Sequence, residues 1–445
     1  MDLRVDTGYK AILKMALPIS LAMLVPQINF ITNNIFLSGL GEQELASAGI
    51  TGVYYLVFAV VGNGLNNGLQ ALIARRAGQN QHEQIGQLFY HGVWVALAFA
   101  SLGILMTYTV GPVILRSTLH SAATADQVID FLLIRIWGLP LLYLYIMRNA
   151  LLVGTNQTKL LVWGTLAETV SNIFLDYALI YGKFGFPNVG FNGAAYASIM
   201  AEAIGLVVIF IVIHFKGINK AFSLFKRWQT DWAMMRLILV QSMPLILQFA
   251  ISIVSWEYFY ILIEHHGERA LAVSNTMRNI FGVSGIFAWA FAATANTMVS
   301  NIIGQQRNDE VLPLVKRIAL ISTLFSIPGL VWLNVTPEWF LSFYNQGEGF
   351  VDYGVPVVRI VSAAIFIMAF STVWLNSVTG TGNTIVNLSI EGVAIVLYCV
   401  YVYVVLEYLN LSIAWGWVSE LVYWSSMFTM AFFYLRSGRW RGKVI

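Results

Sequence analysis

Apolar stretches of about twenty residues recur along the whole chain, and they restrict the fold more than any other feature. A helix of about 20 residues crosses the hydrocarbon core of a bilayer. Only 11% of the residues are charged, too few to cover a water-exposed surface of this size. The sequence therefore predicts an all-α integral membrane protein with twelve transmembrane helices, near residues 15–38, 47–74, 87–114, 127–153, 160–182, 192–215, 236–263, 270–303, 314–334, 353–379, 385–406 and 411–435.

Basic residues are concentrated in alternate predicted loops. Arg75 and Lys159 lie in two of them, and others lie between 216 and Arg227 and after residue 435. The intervening loops, such as 41–44 and the segment from 338 to Glu348, are acidic or mixed. Because loops rich in Lys and Arg stay in the cytoplasm, we expect both termini there, with the first ten residues as a short polar tail. The expected location is the inner (plasma) membrane.

The two halves of the chain share short motifs at a constant offset in residue number. The pairs are Pro18 with Pro244, Gly41 with Gly267, Gly78 with Gly304, and Gly154 with Gly380. With small gaps, Glu168 also pairs with Glu391, and Glu202 with Glu420. Parallel repeats of this kind are related by an axis along the membrane normal. We therefore predict two pseudo-symmetric six-helix bundles, 1–215 and 236–445, joined by a cytoplasmic linker at 216–235, with a V-shaped central cleft that opens by rocking.

The most informative polar residues lie in the fifth predicted span. Glu168, Asn172 and Asp176 are spaced four apart, so a helix places them on one face. An ionisable side chain at membrane depth costs about 2.5–3.5 kcal/mol, so a chain keeps one where it binds an ion, carries a proton or lines a cavity. Asp176 with Asn172 can offer oxygen ligands to Na⁺ or hold a proton. The alternative is a structural Asp bonded to a neighbouring backbone group or hydroxyl.

A second candidate site lies in the seventh predicted span, where Glu257 stands between Trp256 and Tyr260. Aromatic rings attract cations, which favours a substrate site for flat, partly apolar cations. The alternative is that these rings face lipid and Glu257 lies near the outer surface. Glu168 and Glu202 are further candidates for this second acidic site.

Pro18 is the candidate hinge, because it opens the bundle that contains Asp176 and a proline frees backbone carbonyls within a span. For Glu391 and Glu420 we favour a structural role, such as bonding to a neighbouring helix.

Enzyme signatures are missing from the sequence. It has no phosphate-binding Gly-Lys-Ser/Thr loop, no HExxH pair and a single Cys. We expect no enzymatic activity, no metal and no bound cofactor, with H⁺ or Na⁺ as coupling ion. The expected partners are small organic cations and the lipid bilayer, with no nucleic acid, and the expected state is a monomer.

Several stretches together resemble the multidrug and toxic compound extrusion (MATE) transporters. They are 16–18, 33–36, 133–140, 154–158, 172–182 and 190–198. The resemblance implies a cation site in the N-terminal lobe, with roles for Asp176, Asn172 and Ser198. Asn33 stands where many members have Asp. The acids that some members carry in the seventh and tenth spans align near Ser252 and Met368, so the chain is similar to members whose ion chemistry lies in the N-lobe.

The resulting hypothesis is a secondary active antiporter. It would export cationic amphipathic drugs or toxic metabolites in exchange for H⁺ or Na⁺ by alternating access, with Asp176 as the exchanging group. A single acid in the core site favours H⁺. The alternative is a flippase for lipid-linked precursors, which would need a basic cavity for phosphates. A membrane-embedded enzyme or a channel fits the pattern less well.

Overall fold

The computed structural model describes residues 2–119, 121–224, 226, 229–344, 347 and 349–443, except for the side chains of Phe30 and Glu42. Arg227 of the predicted basic linker and Glu348 of a predicted acidic loop lie outside the described residues. Within the described part the chain consists of helices joined by short loops, and no strand occurs there.

Twelve long helices lie within the described residues, and we number them in chain order. They are α1 Tyr9–Ser38, α2 Glu42–Gly78, α3 His82–Thr109, α4 Ala122–Gly154, α5 Leu161–Tyr181, α6 Phe191–Phe215, α7 Trp232–Glu264, α8 Glu268–Gly304, α9 Val311–Val335, α10 Phe350–Gly380, α11 Thr384–Val402 and α12 Ile413–Ser437. A 3₁₀ turn at Ile136–Gly138 interrupts α4, and α11 continues as π-type turns over Tyr403–Tyr408. Short helices at Gly111–Thr118, Ile218–Ala221 and Pro337–Ser342 lie in the connections.

Most of these helices are apolar enough to cross a bilayer. Within the described residues, ten candidate spans meet both criteria of length and hydropathy. The other two helices, α5 and α12, have 21 and 25 residues, which is enough for the ~30 Å hydrocarbon core. Polar residues, Asp176 among them, lower the hydropathy of α5. The predicted all-α membrane fold with twelve helices is confirmed.

Helix ends differ from the predicted spans where hydropathy is a poor guide. α1 begins at Tyr9, six residues before the predicted span, because its first turns contain polar residues such as Lys10 and Lys14. α3 ends at Thr109, five residues early, since Gly111 and Pro112 begin a separate short helix. Proline is favoured in a first helical turn because its missing N–H is not needed there.

By contacts the chain divides into two compact units. The first unit comprises Met1–Leu3 and Leu17–Ser242, and the second comprises Arg4–Ala16 and Met243–Ile445. The predicted borders at 215/216 and 235/236 stay predictions. The division falls inside α1 and inside α7, two residues before Pro18 and Pro244 respectively.

The residues before α1 are not a free polar tail, so that prediction was wrong. Val5 is buried in the second unit, where its N–H donates to Asn301 Oδ1 at 3.1 Å and its carbonyl accepts from Gln305 Nε2 at 3.0 Å. Thr7 is also buried, and its carbonyl accepts from Arg317 at 3.0 Å. An extended segment can be held in this way because every backbone group must find a partner once water is excluded.

The helix positions reproduce the repeat. α4 and α10 end at Gly154 and Gly380, one of the pairs that define the constant offset. The connection from α4 to α5 is longer than that from α10 to α11, so the offset is smaller from the starts of α5 and α11 onward. Glu168 and Glu391 are each the eighth residue of their helices and therefore occupy equivalent positions. Glu202 and Glu420 are not equivalent in this sense, since they are the twelfth residue of α6 and the eighth of α12.

Candidate ion site in the first unit

Helix α5 carries the candidate site and packs against α6. A Cβ on Gly193 of α6 would come within 2.8 Å of the Leu179 main chain, so only glycine permits this approach. α5 ends at Gly182, which adopts the left-handed conformation at φ +64° that commonly terminates helices. Asn172 and Asp176 lie one turn apart on α5, and both are fully buried, with exposures of 1% and 0%.

The side-chain amide of Asn172 connects three helices of the first unit. Its orientation is assigned from its hydrogen-bonding partners. The nitrogen then donates to Asn29 Oδ1 on α1 at 2.6 Å and to Asp176 Oδ2 at 3.3 Å. The oxygen accepts from the backbone N–H of Ser198 on α6 at 3.3 Å. Asn172 thus positions one oxygen of the Asp176 carboxylate.

The second oxygen of Asp176 is open. Asp176 Oδ1 is buried and has no hydrogen-bonding partner among the described residues. No Lys, Arg or His of the described part forms an ion pair with Asp176. A buried carboxylate without a counter-charge is costly at membrane depth, so this oxygen can be satisfied by a proton or a cation.

The structure brings together most of the predicted site. Asp176, Asn172 and Ser198 meet, although Ser198 contributes its backbone N–H and not its hydroxyl. Asn33 lies one turn beyond Asn29 on α1; its Oδ1 is buried and has no partner among the described residues. It makes no direct hydrogen bond to Asp176. Asn29 was missed by the sequence analysis, although its four-residue spacing from Asn33 repeats that of Asn172 and Asp176.

Glu202 lies in a closed ion pair. Both of its carboxylate oxygens accept from the guanidinium of Arg135 on α4, and the two side chains are only 8% and 13% exposed. The guanidinium also stacks over the Tyr55 ring, 4.3 Å from its centroid. Such a pair is a structural element of the α4–α6 contact, separate from the Asn172 hydrogen bonds.

Glu168 occupies the same stripe of α5 but a different environment. It is half-buried, and a Cβ on Gly205 would come within 2.8 Å of its own Cβ. Arg148, a fully buried residue of α4, reaches the same helix, because a Cβ on Gly164 would collide with its Nη1. The guanidinium of Arg148 lies 3.8 Å from the centroid of the Tyr145 ring. Glu168 is therefore not brought into the Asn172 hydrogen bonds.

The second predicted site, in the second unit, contains a cation of the protein itself. Trp256 and Tyr260 pack edge to face at 5.7 Å. The Arg278 guanidinium lies 5.8 Å and 5.9 Å from their ring centroids. Glu257 is exposed, and the Tyr260 hydroxyl donates to the carbonyl of Ser274 at 2.9 Å. A cationic ligand at these rings would compete with Arg278.

Comparison with known proteins agrees with this architecture. The MatE family model matches residues 18–178 and again 244–404, so the two matches are related by the same offset as Pro18 and Pro244. Over 98% of its length the chain is 22% identical to the probable multidrug resistance protein NorM of Thermotoga maritima, 94% of which is covered. It is 24% identical to the Synechocystis protein of the same name over 79% of this chain and 77% of that protein.

Solved structures share the fold. A MOP superfamily transporter from Pyrococcus furiosus, described as having a binding pocket of reverse polarity, superposes with a TM-score of 0.88 at 17% identity, over 98% of this chain and 96% of that one. A multidrug resistance MATE family transporter in an outward-facing conformation gives 0.87 at 17% identity, with coverages of 98% and 96%. The chain is a multi-pass membrane protein, and the repeated match over most of its length shows that it belongs to the MatE family.

Proposed function

We propose that the chain is a multidrug efflux transporter, a secondary active antiporter that exports cationic amphipathic drugs or toxic metabolites in exchange for H⁺ or Na⁺ by alternating access. The names of the NorM relatives support multidrug efflux. The observation that carries the exchange mechanism is the open, buried Oδ1 of Asp176. We further propose a location in the inner (plasma) membrane, with both termini cytoplasmic and a monomeric state.

Exchange follows from charge competition at Asp176. A negatively charged Asp176 attracts a cationic substrate, whereas a protonated Asp176 does not. Loading one therefore releases the other, and neither state leaves a bare carboxylate in the membrane. Protonation changes the charge beside Asn29, and Pro18 on the same helix offers a place where α1 can bend.

The choice between H⁺ and Na⁺ depends on the Asn172 amide. In the assigned orientation its nitrogen already donates to Asn29 Oδ1 and Asp176 Oδ2, so a proton on Asp176 Oδ1 needs no rearrangement. The opposite orientation would turn the Asn172 oxygen towards Asn29 Oδ1 and Asp176 Oδ2 and the Asn172 nitrogen towards the N–H of Ser198, an arrangement that a cation bound to the oxygens would favour. The geometry thus favours H⁺ as the coupling ion and makes Na⁺ the alternative that requires the amide to rotate.

A lipid-linked precursor flippase is less well supported. It would need free cations to bind phosphates. In the first unit, Arg135 is paired with Glu202, and Arg148 is fully buried against Tyr145. Binding of a pyrophosphate lipid to the purified protein should accordingly be undetectable.

Dye efflux from proteoliposomes tests the antiporter directly. With ethidium as the probe, an imposed pH or Na⁺ gradient should drive transport by the wild type, and Asp176→Asn should reduce it to background. Asp126→Asn is the matched control, because Asp126 forms an exposed ion pair with Arg116 and should leave transport unchanged. Full gradient-driven transport by Asp176→Asn, or none by the wild type with either ion, would refute the proposal.

A further inference from the structure

The second unit keeps a buried glutamate but lacks the arginines that accompany its counterpart. Glu391 on α11 is 2% exposed and occupies the repeat position of Glu168. In the first unit, α4 carries two arginines, the fully buried Arg148 and Arg135, which is paired with Glu202. At the offset that relates Gly154 to Gly380, the residues corresponding to those arginines are Trp374 and Val361. No Lys, Arg or His of the described part forms an ion pair with Glu391.

Neutral donors surround the Glu391 carboxyl. Ser252 Oγ on α7 lies 2.6 Å from Oε1, and the Tyr423 hydroxyl on α12 donates to the same oxygen. Gln248 Nε2 donates to Oε2 at 3.3 Å. Asn387, one turn before Glu391, donates to Gln248 Oε1 and so fixes the direction of that amide. Each of these three donors to Glu391 is neutral, so none brings a positive charge to the carboxyl.

Ser252 allows this site to exist with or without a proton. Its hydroxyl has one hydrogen but two acceptors within reach, Glu391 Oε1 at 2.6 Å and the Gln248 carbonyl at 2.8 Å. If Glu391 is ionised, the hydroxyl donates to it. If Glu391 is protonated, its own O–H donates to Ser252 and the hydroxyl donates to the Gln248 carbonyl. Apart from the proton that Glu391 gains or loses, only the rotation of the Ser252 O–H bond separates the two states, and both leave the carboxyl and the hydroxyl hydrogen-bonded.

We propose that Glu391 is a second proton-binding site, in which the carboxyl exchanges a proton through Ser252. The ligand is H⁺ and not a metal cation, because the donors of Ser252, Tyr423 and Gln248 point their hydrogens at the space that a cation would occupy. The use of this proton in transport rests on the proposed antiport, whereas the binding of the proton does not.

Few titratable groups face this site. They are Tyr423 and Glu420 on α12 and Tyr398 on α11, whose ring lies 5.7 Å from that of Tyr423. α7 contributes only the neutral Gln248 and Ser252. Among the described residues of α10, none forms a hydrogen bond or an ion pair with the Glu391 carboxyl. A pH-dependent change at this carboxyl can therefore be assigned by a small set of variants.

Infrared difference spectroscopy on the full chain in lipid nanodiscs tests the site without any substrate. Spectra taken between about pH 5 and pH 9 should show the C=O band of a protonated carboxyl that decreases as the pH rises. In the Asp176→Asn background, which lacks the other proposed proton-binding carboxyl, Glu391→Gln should remove this band. Glu420→Gln is the matched control, since Glu420 is also buried but accepts from the indole of Trp424 and makes no hydrogen bond with Ser252, so the band of Glu391 should persist there. Ser252→Ala, which keeps the carboxyl, should displace the pH at which the band disappears.

Three results would overturn the proposal. The band could be unchanged in Glu391→Gln, it could persist in the wild type over the whole pH range, or Na⁺ at constant pH could produce the same change. If Glu391→Gln does not fold, Ser252→Ala and Tyr423→Phe still test the proposal. If the carboxyl does not titrate through these contacts, the spectra of both variants would be identical to the wild-type spectrum, and the proposal would be wrong. The proposed antiport is tested separately by the efflux of ethidium from proteoliposomes with Asp176→Asn, so its failure can be distinguished from failure of the Glu391 proposal in the infrared spectra.

Discussion

Each unit contains a buried amide followed one turn later by a buried acid, but the two acids are bonded in opposite ways. In the first unit, Asp176 receives one long hydrogen bond from Asn172, and its second oxygen has no partner among the described residues. In the second unit, both oxygens of Glu391 accept hydrogen bonds, while the Asn387 oxygen has no partner among the described residues. The same four-residue spacing therefore leaves one oxygen of Asp176 available for an ion in the first unit, whereas in the second unit both oxygens of Glu391 are already hydrogen-bonded.

The two acids differ in position, since Asp176 is the sixteenth residue of α5 and Glu391 is the eighth of α11, and they also differ in the residues that neighbouring helices contribute. The first unit uses Arg135 to neutralise Glu202 and leaves Asp176 unpaired. The second unit has Val361 and Trp374 at the arginine positions and supplies neutral donors to Glu391. Whether a buried acid is structural or exchanging thus depends on which groups complete its hydrogen bonds.

The largest effect on stability is expected at the paired acid. Glu202→Gln leaves Arg135 buried without a counter-charge, which costs about 3–5 kcal/mol when a buried ion pair loses one partner. Asp176→Asn removes an unpaired carboxyl and should leave the melting temperature unchanged or higher. Thermal unfolding in detergent, followed by tryptophan fluorescence, measures both. The double variant Arg135→Met with Glu202→Leu should recover most of the lost stability. Equal destabilisation by Glu202→Gln and Asp176→Asn would contradict the distinction between a paired and an unpaired acid.

A smaller effect is expected from the amide that positions Asp176. Asn172→Leu removes the hydrogen bonds to Asp176, Asn29 and Ser198 while keeping a similar volume. Groups that orient a ligand without carrying it typically contribute about 10-fold to 100-fold in affinity, so transport should need a proton or Na⁺ concentration about tenfold higher. The concentration dependence of ethidium efflux measures this, with Asn34→Leu as the control on α1. An unchanged dependence would show that Asn172 does not act through Asp176.

The smallest effect concerns the aromatic pair of the second unit. Arg278→Gln frees the faces of Trp256 and Tyr260 from their internal cation. A cation–π contact at an exposed site is worth about 0.5–1 kcal/mol, so ethidium should bind about two to five times more tightly. Fluorescence titration measures the affinity, and Arg236→Gln on α7, the helix that also carries the two rings, serves as the charge-matched control. Weaker binding in Arg278→Gln would show that these rings do not receive the cationic substrate.

Much of the fold could be predicted from the sequence because each span must satisfy its own backbone hydrogen bonds in lipid. The twelve helices and the constant offset between the halves follow from hydropathy and from motifs such as Gly154 and Gly380. Helix ends were less predictable where polar turns extend beyond the apolar run, as at Lys10 in α1. The buried segment around Val5 could not be predicted, since its partners Asn301 and Gln305 lie far away in the sequence.

The site was predictable only where one helix carries it. The spacing of Asn172 and Asp176 places both on one face of α5 without any knowledge of the neighbouring helices. The contact with Asn29 depends on how α1 packs, and the position of Arg278 over Trp256 depends on α8. The pairing of Glu202 with Arg135 likewise joins residues that lie on different helices. Contacts between distant helices carry no local signal in a single sequence.

The central claim, that Asp176 exchanges a cationic substrate for H⁺ or Na⁺, is tested most directly by the affinity of the purified protein for ethidium as pH and Na⁺ are varied. Acidification protonates Asp176 and Na⁺ occupies it, so wild-type affinity should fall as the pH is lowered if H⁺ is the coupling ion, or as Na⁺ is raised if Na⁺ is. In the Glu391→Gln background, where the second proposed proton site is removed, this dependence should persist, and adding Asp176→Asn should abolish it. The same dependence on pH or Na⁺ in the double variant would contradict the account.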